Sequence, residues 1–114
     1  MKKIVILGEV LSHKNLWKRS KWGGLYMSKP EEFNALLSQF VNQSKNMSGL
    51  PLKTALRLDL SVWGNDRKDL NNQIATICDL LERAEIILND RQIKEIHAKK
   101  IIDIKNPRAE IEIN

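Results

Sequence analysis

Apolar residues recur along this chain with two different periods, and the switches between them mark its elements. Ile4-Val5-Ile6-Leu7 is a short apolar run behind Met1-Lys2-Lys3, of a length that suits a first strand. Residues 8–29 show little periodicity, and Trp17, Trp22, Gly23 and Gly24 within them predict a long loop or loose hairpin. Phe33, Leu36, Leu37, Phe40 and Val41 then recur at three- and four-residue steps, which predicts a helix over about 29–45. Ser28 followed by Glu31 is a candidate capping box, and Pro30 fits the first turn, where a missing N–H is tolerated.

Gly49 and Pro51 place a turn over 46–53. From Thr54 to Trp63 the pattern alternates, with Leu56, Leu58, Leu60 and Val62 on one side and Arg57, Asp59, Ser61 and Trp63 on the other; this predicts a half-buried strand. A polar turn over 64–68 leads to a second helix with Leu70, Ile74, Ile77, Cys78, Leu81 and Ala84 as its buried stripe. After the apolar run 86–88 and a turn at 89–91, residues 92–104 form a strand with imperfect alternation, and 109–113 alternate cleanly. The order β-α-β-α-β-β belongs to the α/β class: a small single-domain mixed sheet over residues 1–114, covered by two helices. A length of 114 residues supports one core.

Composition narrows the setting. No apolar run approaches the roughly 18 residues of a membrane span, and the opening run is too short for a secretion signal. Cys78 is the single cysteine, so no internal disulfide forms and a reducing, cytoplasmic setting is expected. The net charge of +5 is uneven: residues 1–57 carry ten Lys/Arg against three acids, whereas 58–114 carry nine against eleven. Such asymmetry suggests a basic face for a polyanion. Lys14, Lys18, Arg19 and Lys21 interleave with Trp17 and Trp22, and Arg67-Lys68 add a second basic turn. Cations neutralise phosphates, while exposed indoles stack on unpaired bases. One tryptophan is expected to anchor this loop and one to stay exposed, with Trp22, before the glycine pair, as the anchor. Trp63 suits either a core rim or a DNA contact.

Two acids stand out by context. Asp69 lies where the basic turn enters the second helix, and Asp90 in the turn after it. Taken singly, each is explained by capping free backbone N–H groups. Together they bracket a helix and its return, which allows convergence at one end of the sheet, where two carboxylates would hold Mg²⁺. His13 and His97 are too far apart for a zinc motif, Cys78 sits in an apolar stripe, and Gly23-Gly24 is too little for a phosphate loop.

The order Arg67-Lys68-Asp69-Leu70-Asn71-Asn72, Asp79-Leu80-Leu81, Ala84, Ile87-Leu88-Asn89-Asp90-Arg91-Gln92-Ile93 resembles the RusA family of Holliday-junction resolvases. The likeness extends faintly to Ser12-His13-Lys14-Asn15 and to Gly24-Leu25-Tyr26-Met27-Ser28-Lys29, so that it spans roughly the whole chain. It implies a homodimer that binds four-way DNA junctions and nicks opposed strands using Mg²⁺, with Mn²⁺ as a substitute, in recombination and repair. The family's essential acids fall on Asp69, Asn71 and Asp90, with Asp69 and Asp90 as metal ligands, and its lysine falls on Ala75. Asn71 keeps a carbonyl oxygen but carries no charge and accepts no proton. Lys68, Lys99 or Lys100 are candidates to replace the lysine. The resemblance thus implies either a nuclease or, because Asn71 and Ala75 depart from the pattern, a branched-DNA-binding protein of the same fold impaired in cleavage. A protein-interaction domain with a basic surface is the reading that leaves the order over 67–93 unexplained.

Overall fold

The computed structural model describes residues 2–114; Met1, expected to head the first strand, and the Asn15 side chain lie outside the described residues. The chain forms β1 (Lys2–Leu7), a single helical turn α1 (His13–Leu16), a small hairpin of β2 (Trp17–Arg19) and β3 (Leu25–Met27), and helix α2 (Pro30–Ser44). It continues through β4 (Leu56–Gly64), helix α3 (Leu70–Arg83), a 3₁₀ turn (Asp90–Gln92), β5 (Ile93–Ile102) and β6 (Arg108–Ile113). The main sheet has the order β1-β6-β4-β5, antiparallel at β1/β6 and β6/β4 and parallel at β4/β5. This is the expected mixed sheet with two covering helices. Of the loop or loose hairpin expected over 8–29, the hairpin forms, as β2–β3, and the helical turn α1 is the unexpected addition.

Alternation decides which face of the sheet is buried. Ile4 and Ile6, Leu56, Leu58, Leu60 and Val62, and Ala109, Ile111 and Ile113 all enter one core with Phe33, Leu36 and Phe40 of α2 and Ile77, Leu80 and Leu81 of α3. Each such Leu, Ile or Phe side chain contributes about 1.5–3 kcal/mol by leaving water. β1 is an edge strand, and α2 blunts that edge. Gln43 accepts from the Val5 N–H and donates to its carbonyl, and Gln39 does the same one turn earlier on Leu7.

The buried stripe of α3 differs from expectation. Leu70, Ile74, Cys78 and Ala84 are only partly buried, while the polar Gln73 and Thr76 are fully buried. Both are buried because they serve the chain segment leading to α1: Gln73 Nε2 donates to the Val10 carbonyl at 2.9 Å and Thr76 Oγ1 to the Leu11 carbonyl at 2.8 Å. Hydrogen bonding to carbonyls with no strand partner removes the burial penalty that a helical-period reading assigns to polar residues. No helix among the described residues is long and apolar enough to cross a membrane.

Candidate functional site

α3 starts where the sequence places a cap. Asp69, in extended conformation, is the N-cap; its carboxylate accepts from the Asn71 N–H at 3.0 Å and from Asn72 Nδ2 at 3.4 Å. The turn before it is folded by the Arg67 N–H donating to Asn65 Oδ1 at 2.8 Å. Lys100 of β5 reaches this turn, donating from Nζ to the Lys68 carbonyl and, at 2.9 Å, to Gln73 Oε1. Asn71 is exposed in the first turn, and Ala75 follows it one turn later on the same helix face.

A parallel β4/β5 pair requires a crossover along the length of the sheet. Asp69 and the backbone of Asp90 therefore sit at opposite ends of α3, about 21 Å long at 1.5 Å per residue, rather than together at one end of the sheet. Asp90 opens the 3₁₀ turn, with its N–H donating to Glu82 Oε1 at 3.0 Å. It lines a cleft of about 350 Å³ with Ala75, Cys78, Asp79 and Glu82 of α3, Ile93 and Ile96 of β5, and His13 of α1. The cleft thus joins Asp90 to the face of α3 that carries Ala75, Asp79 and Glu82. His13, which no spacing argument marks, enters through the contact of α1 with α3.

Gln92 sets the position of Asp90. Its Oε1 accepts from the Leu88 and Asn89 N–H groups at 2.8 and 2.9 Å, and its Nε2 donates to the Leu52 and Thr54 carbonyls at 2.8 and 2.9 Å. The Asn89 side chain caps the same turn from the other side. Two further acids stand beside Asp90. Asp79 pairs through Oδ1 with Arg83 Nε at 3.1 Å, while its Oδ2 is buried with no hydrogen-bond partner among the described residues. Burial pushes the neighbouring Cys78 thiol up to about 11, and the Asp90 and Asp79 carboxylates add to the shift. Such a thiol is an inert wall of the cleft rather than a nucleophile.

The carboxylates of Asp69 and Asp90 and the carbonyl of Asn71 are hard oxygen donors, the type that suits Mg²⁺, an ion commonly held by one or two carboxylates plus substrate phosphates. Among the described residues no three His, Cys, Asp or Glu side chains gather into a metal-holding group. Of the lysines that sequence offers in place of Ala75, Lys99 lines a separate groove with Asp59, Ser61, Glu110 and Glu112 on the opposite face of the sheet. Lys100 is committed to Lys68 and Gln73, and Lys68 is half-buried in the turn.

The basic, tryptophan-bearing stretch is built rather than loose, and the roles of its indoles are reversed from expectation. Trp17 is the anchor: it pairs with Met27 across the hairpin, both pack against the core, and the Arg83 guanidinium lies 5.5 Å from its ring centre. The same guanidinium lies 5.3 Å from Phe33. Trp22 is 86% exposed at the hairpin tip. The cause is register: Trp17 faces the core because the β2–β3 pairing continues into the Ser28 N–H to Leu16 carbonyl bond at 2.7 Å, whereas Trp22 sits in the turn. Lys14, Lys18, Arg19, Lys21 and Arg67 are all exposed. Trp63 lies on the outer face of β4, stacked on Arg108 at 4.2 Å.

The family model for Endodeoxyribonuclease RusA matches residues 12–114. No curated protein matches the chain.

Proposed function

Because the chain belongs to the RusA endodeoxyribonuclease family, a family of Holliday-junction-resolving nucleases, we propose that it binds four-way DNA junctions and that its cleavage chemistry is set by the face of α3 running from Asp69 to the Asp90 cleft. The observation that carries this reading is the cleft that Asp90 lines together with Asp79, Glu82, His13 and Ala75, the last of these one helical turn after Asn71 on α3. A divalent ion, Mg²⁺ or Mn²⁺, would be held by one carboxylate or the other, Asp69 with the neutral Asn71 carbonyl at the helix start or Asp90 in the cleft, because the length of α3 separates the two. Such an ion, when bound, would supply a more acidic water and polarise the phosphodiester. The remaining steps fall to the chain itself: exposed Lys14, Lys18, Arg19, Lys21 and Arg67 bind phosphates, and Lys100 and Gln92 hold the two ends of the α3 face in place.

The neutral Asn71 and the short Ala75 favour a second form of the same reading, in which the protein holds branched DNA and cuts it slowly or not at all. One carboxylate fewer weakens the hold on a divalent cation, and among the described residues no lysine lines the cleft beside Ala75. A C2 homodimer suits either form, since paired sites address two symmetric strands. The single cysteine supports a reducing, cytoplasmic setting.

The test uses a labelled four-way junction and a matching linear duplex, in Mg²⁺ and in Mn²⁺, with the protein as it stands and with Asn71→Asp. Junction-selective binding with cleavage appearing only after the change is expected. Cleavage by the unaltered protein assigns it as an active nuclease. Equal affinity for junction and duplex in both proteins defeats the reading.

A further inference from the structure

We propose that the β2–β3 hairpin is a wedge that inserts Trp22 between bases at the open centre of branched DNA; this rests on the junction-binding reading above and goes beyond it by naming the contact that selects branch over duplex. An indole 86% exposed adds almost nothing to the folded core, and yet the turn that carries it is closed by hydrogen bonds. The Gly23 N–H donates to the Ser20 carbonyl at 3.0 Å, the Ser20 N–H to the Gly24 carbonyl at 2.7 Å, and the Gly24 N–H to Ser20 Oγ at 3.2 Å. Gly23 takes φ +89°, the left-handed conformation that lets a three-residue turn close on twisted strands. Lys21 and Trp22 are therefore the two projecting corners of a closed turn.

The chemistry of the tip fits one occupant. Lys21 Nζ lies 5.3 Å from the Trp22 ring centre, placing a cation beside the indole where the phosphate flanking a stacked base would sit. Lys18, Arg19 and Tyr26 line the strands just behind the tip, and all are exposed. An apolar plane carried among cations suits nucleic acid, since base faces stack on it while phosphates meet the positive charges. An intact duplex resists insertion because stacked pairs must part; at a branch point, the pairs flanking the crossover are already strained, so the plane enters at lower cost.

The base of the hairpin transmits this position to the cleft. Trp17 is clamped under Arg83, and Arg83 pairs with Asp79, which lines the Asp90 cleft. An inserted tip thus sets the branch point relative to α3 through two contacts.

The experiment places 2-aminopurine next to the branch of a four-way junction, and at the same sequence in a linear duplex, and titrates each with protein in EDTA so that no strand is cut. The unaltered protein is expected to raise the junction probe's fluorescence and leave the duplex probe unchanged. Trp22→Ala, folded as judged by far-UV circular dichroism, is expected to abolish the rise and to weaken junction binding about 10- to 100-fold, the range given by one stacked base, with duplex affinity unchanged. Trp22→Phe, which keeps a smaller stacking plane, is expected to restore part of both. Trp22→Ala that binds junctions at full affinity with the full rise overturns the wedge and leaves junction binding standing. An unaltered protein that does not distinguish junction from duplex overturns both.

Discussion

Gln73→Leu should cost this small fold a large share of its stability, although glutamine and leucine are close in volume. Gln73 is fully buried, donates to the Val10 carbonyl and accepts from Lys100 Nζ, each at 2.9 Å. Leucine leaves the Val10 carbonyl dry and unpaired, at about 1–3 kcal/mol. Lys100 keeps the Lys68 carbonyl and is only half-buried, so its lost acceptor adds roughly 1 kcal/mol more. The expected loss is therefore about 2–4 kcal/mol, against a total on the order of 5–15 kcal/mol for a domain of this kind. With an unfolding entropy of roughly 2.1 cal/mol/K per residue, the same loss lowers Tm by about 8–17 °C. Urea titrations followed by circular dichroism should show the midpoint falling at constant slope. Lys100→Met made in the Gln73→Leu background should cost less than it does alone, because the two residues share one bond. A loss under about 0.5 kcal/mol, with additive double-mutant behaviour, would refute the claim that this pair ties α3 to the segment entering α1.

Three further outcomes follow from local geometry. Asp69→Ala should lose about 0.5–2 kcal/mol in thermal melts, while Asp69→Asn, which keeps a capping oxygen, should lose little; equal losses would sink the capping role. Glu85, at φ +59°, ends α3 in the left-handed conformation, with its N–H on the Glu82 carbonyl and the Ile86 N–H on the Leu81 carbonyl. Glu85→Gly should therefore stabilise by about 1 kcal/mol, and a lowered Tm would contradict the cap assignment. Cys78, with its thiol pushed from 9.0 to about 11, should react with iodoacetamide far more slowly in the native protein than in urea. Its raised value favours the fold fully below pH 9.0, and that contribution is lost as pH climbs through about 11, so Cys78→Ser should flatten the decline of Tm over this interval.

The strands and helices of the main layer were legible because each has one buried face, and burial writes its period into the sequence. Leu56 to Val62 and Ala109 to Ile113 alternate for that reason. The hairpin was legible only as an alternative to a loop, because three-residue strands are too short to establish a period and their pairing rests on the turn. Gln73 and Thr76 were missed for a different reason: a period-3.6 reading counts apolar residues, whereas these two are buried by hydrogen bonds to carbonyls more than sixty residues upstream. The roles of Trp17 and Trp22 turn on the register of that hairpin, which pairs Trp17 with Met27 against the core and leaves Trp22 in the turn; the Arg83 guanidinium, far along the chain, then covers Trp17.

The candidate site divides along the same line. Asn71, Ala75, Asp79 and Glu82 share one face of α3 because they stand at intervals of three and four, which the sequence order over 67–93 already displays. The path of Asp90 back onto that face does not follow from its own neighbours. It depends on Gln92, whose amide bonds reach Leu52 and Thr54 in the segment before β4, and on Glu82, which receives the Asp90 N–H. Residue type therefore names the acids, while two neutral or non-catalytic side chains determine whether they face the same cleft. By the same logic, the departures at Asn71 and Ala75 remove charge from that face without disturbing what holds it. Neither side chain makes any of the bonds that fix Asp90 or Lys100 in place. What holds that face in place is therefore independent of both residues, so placing an acid at Asn71 tests chemistry alone and leaves the fold as its own control.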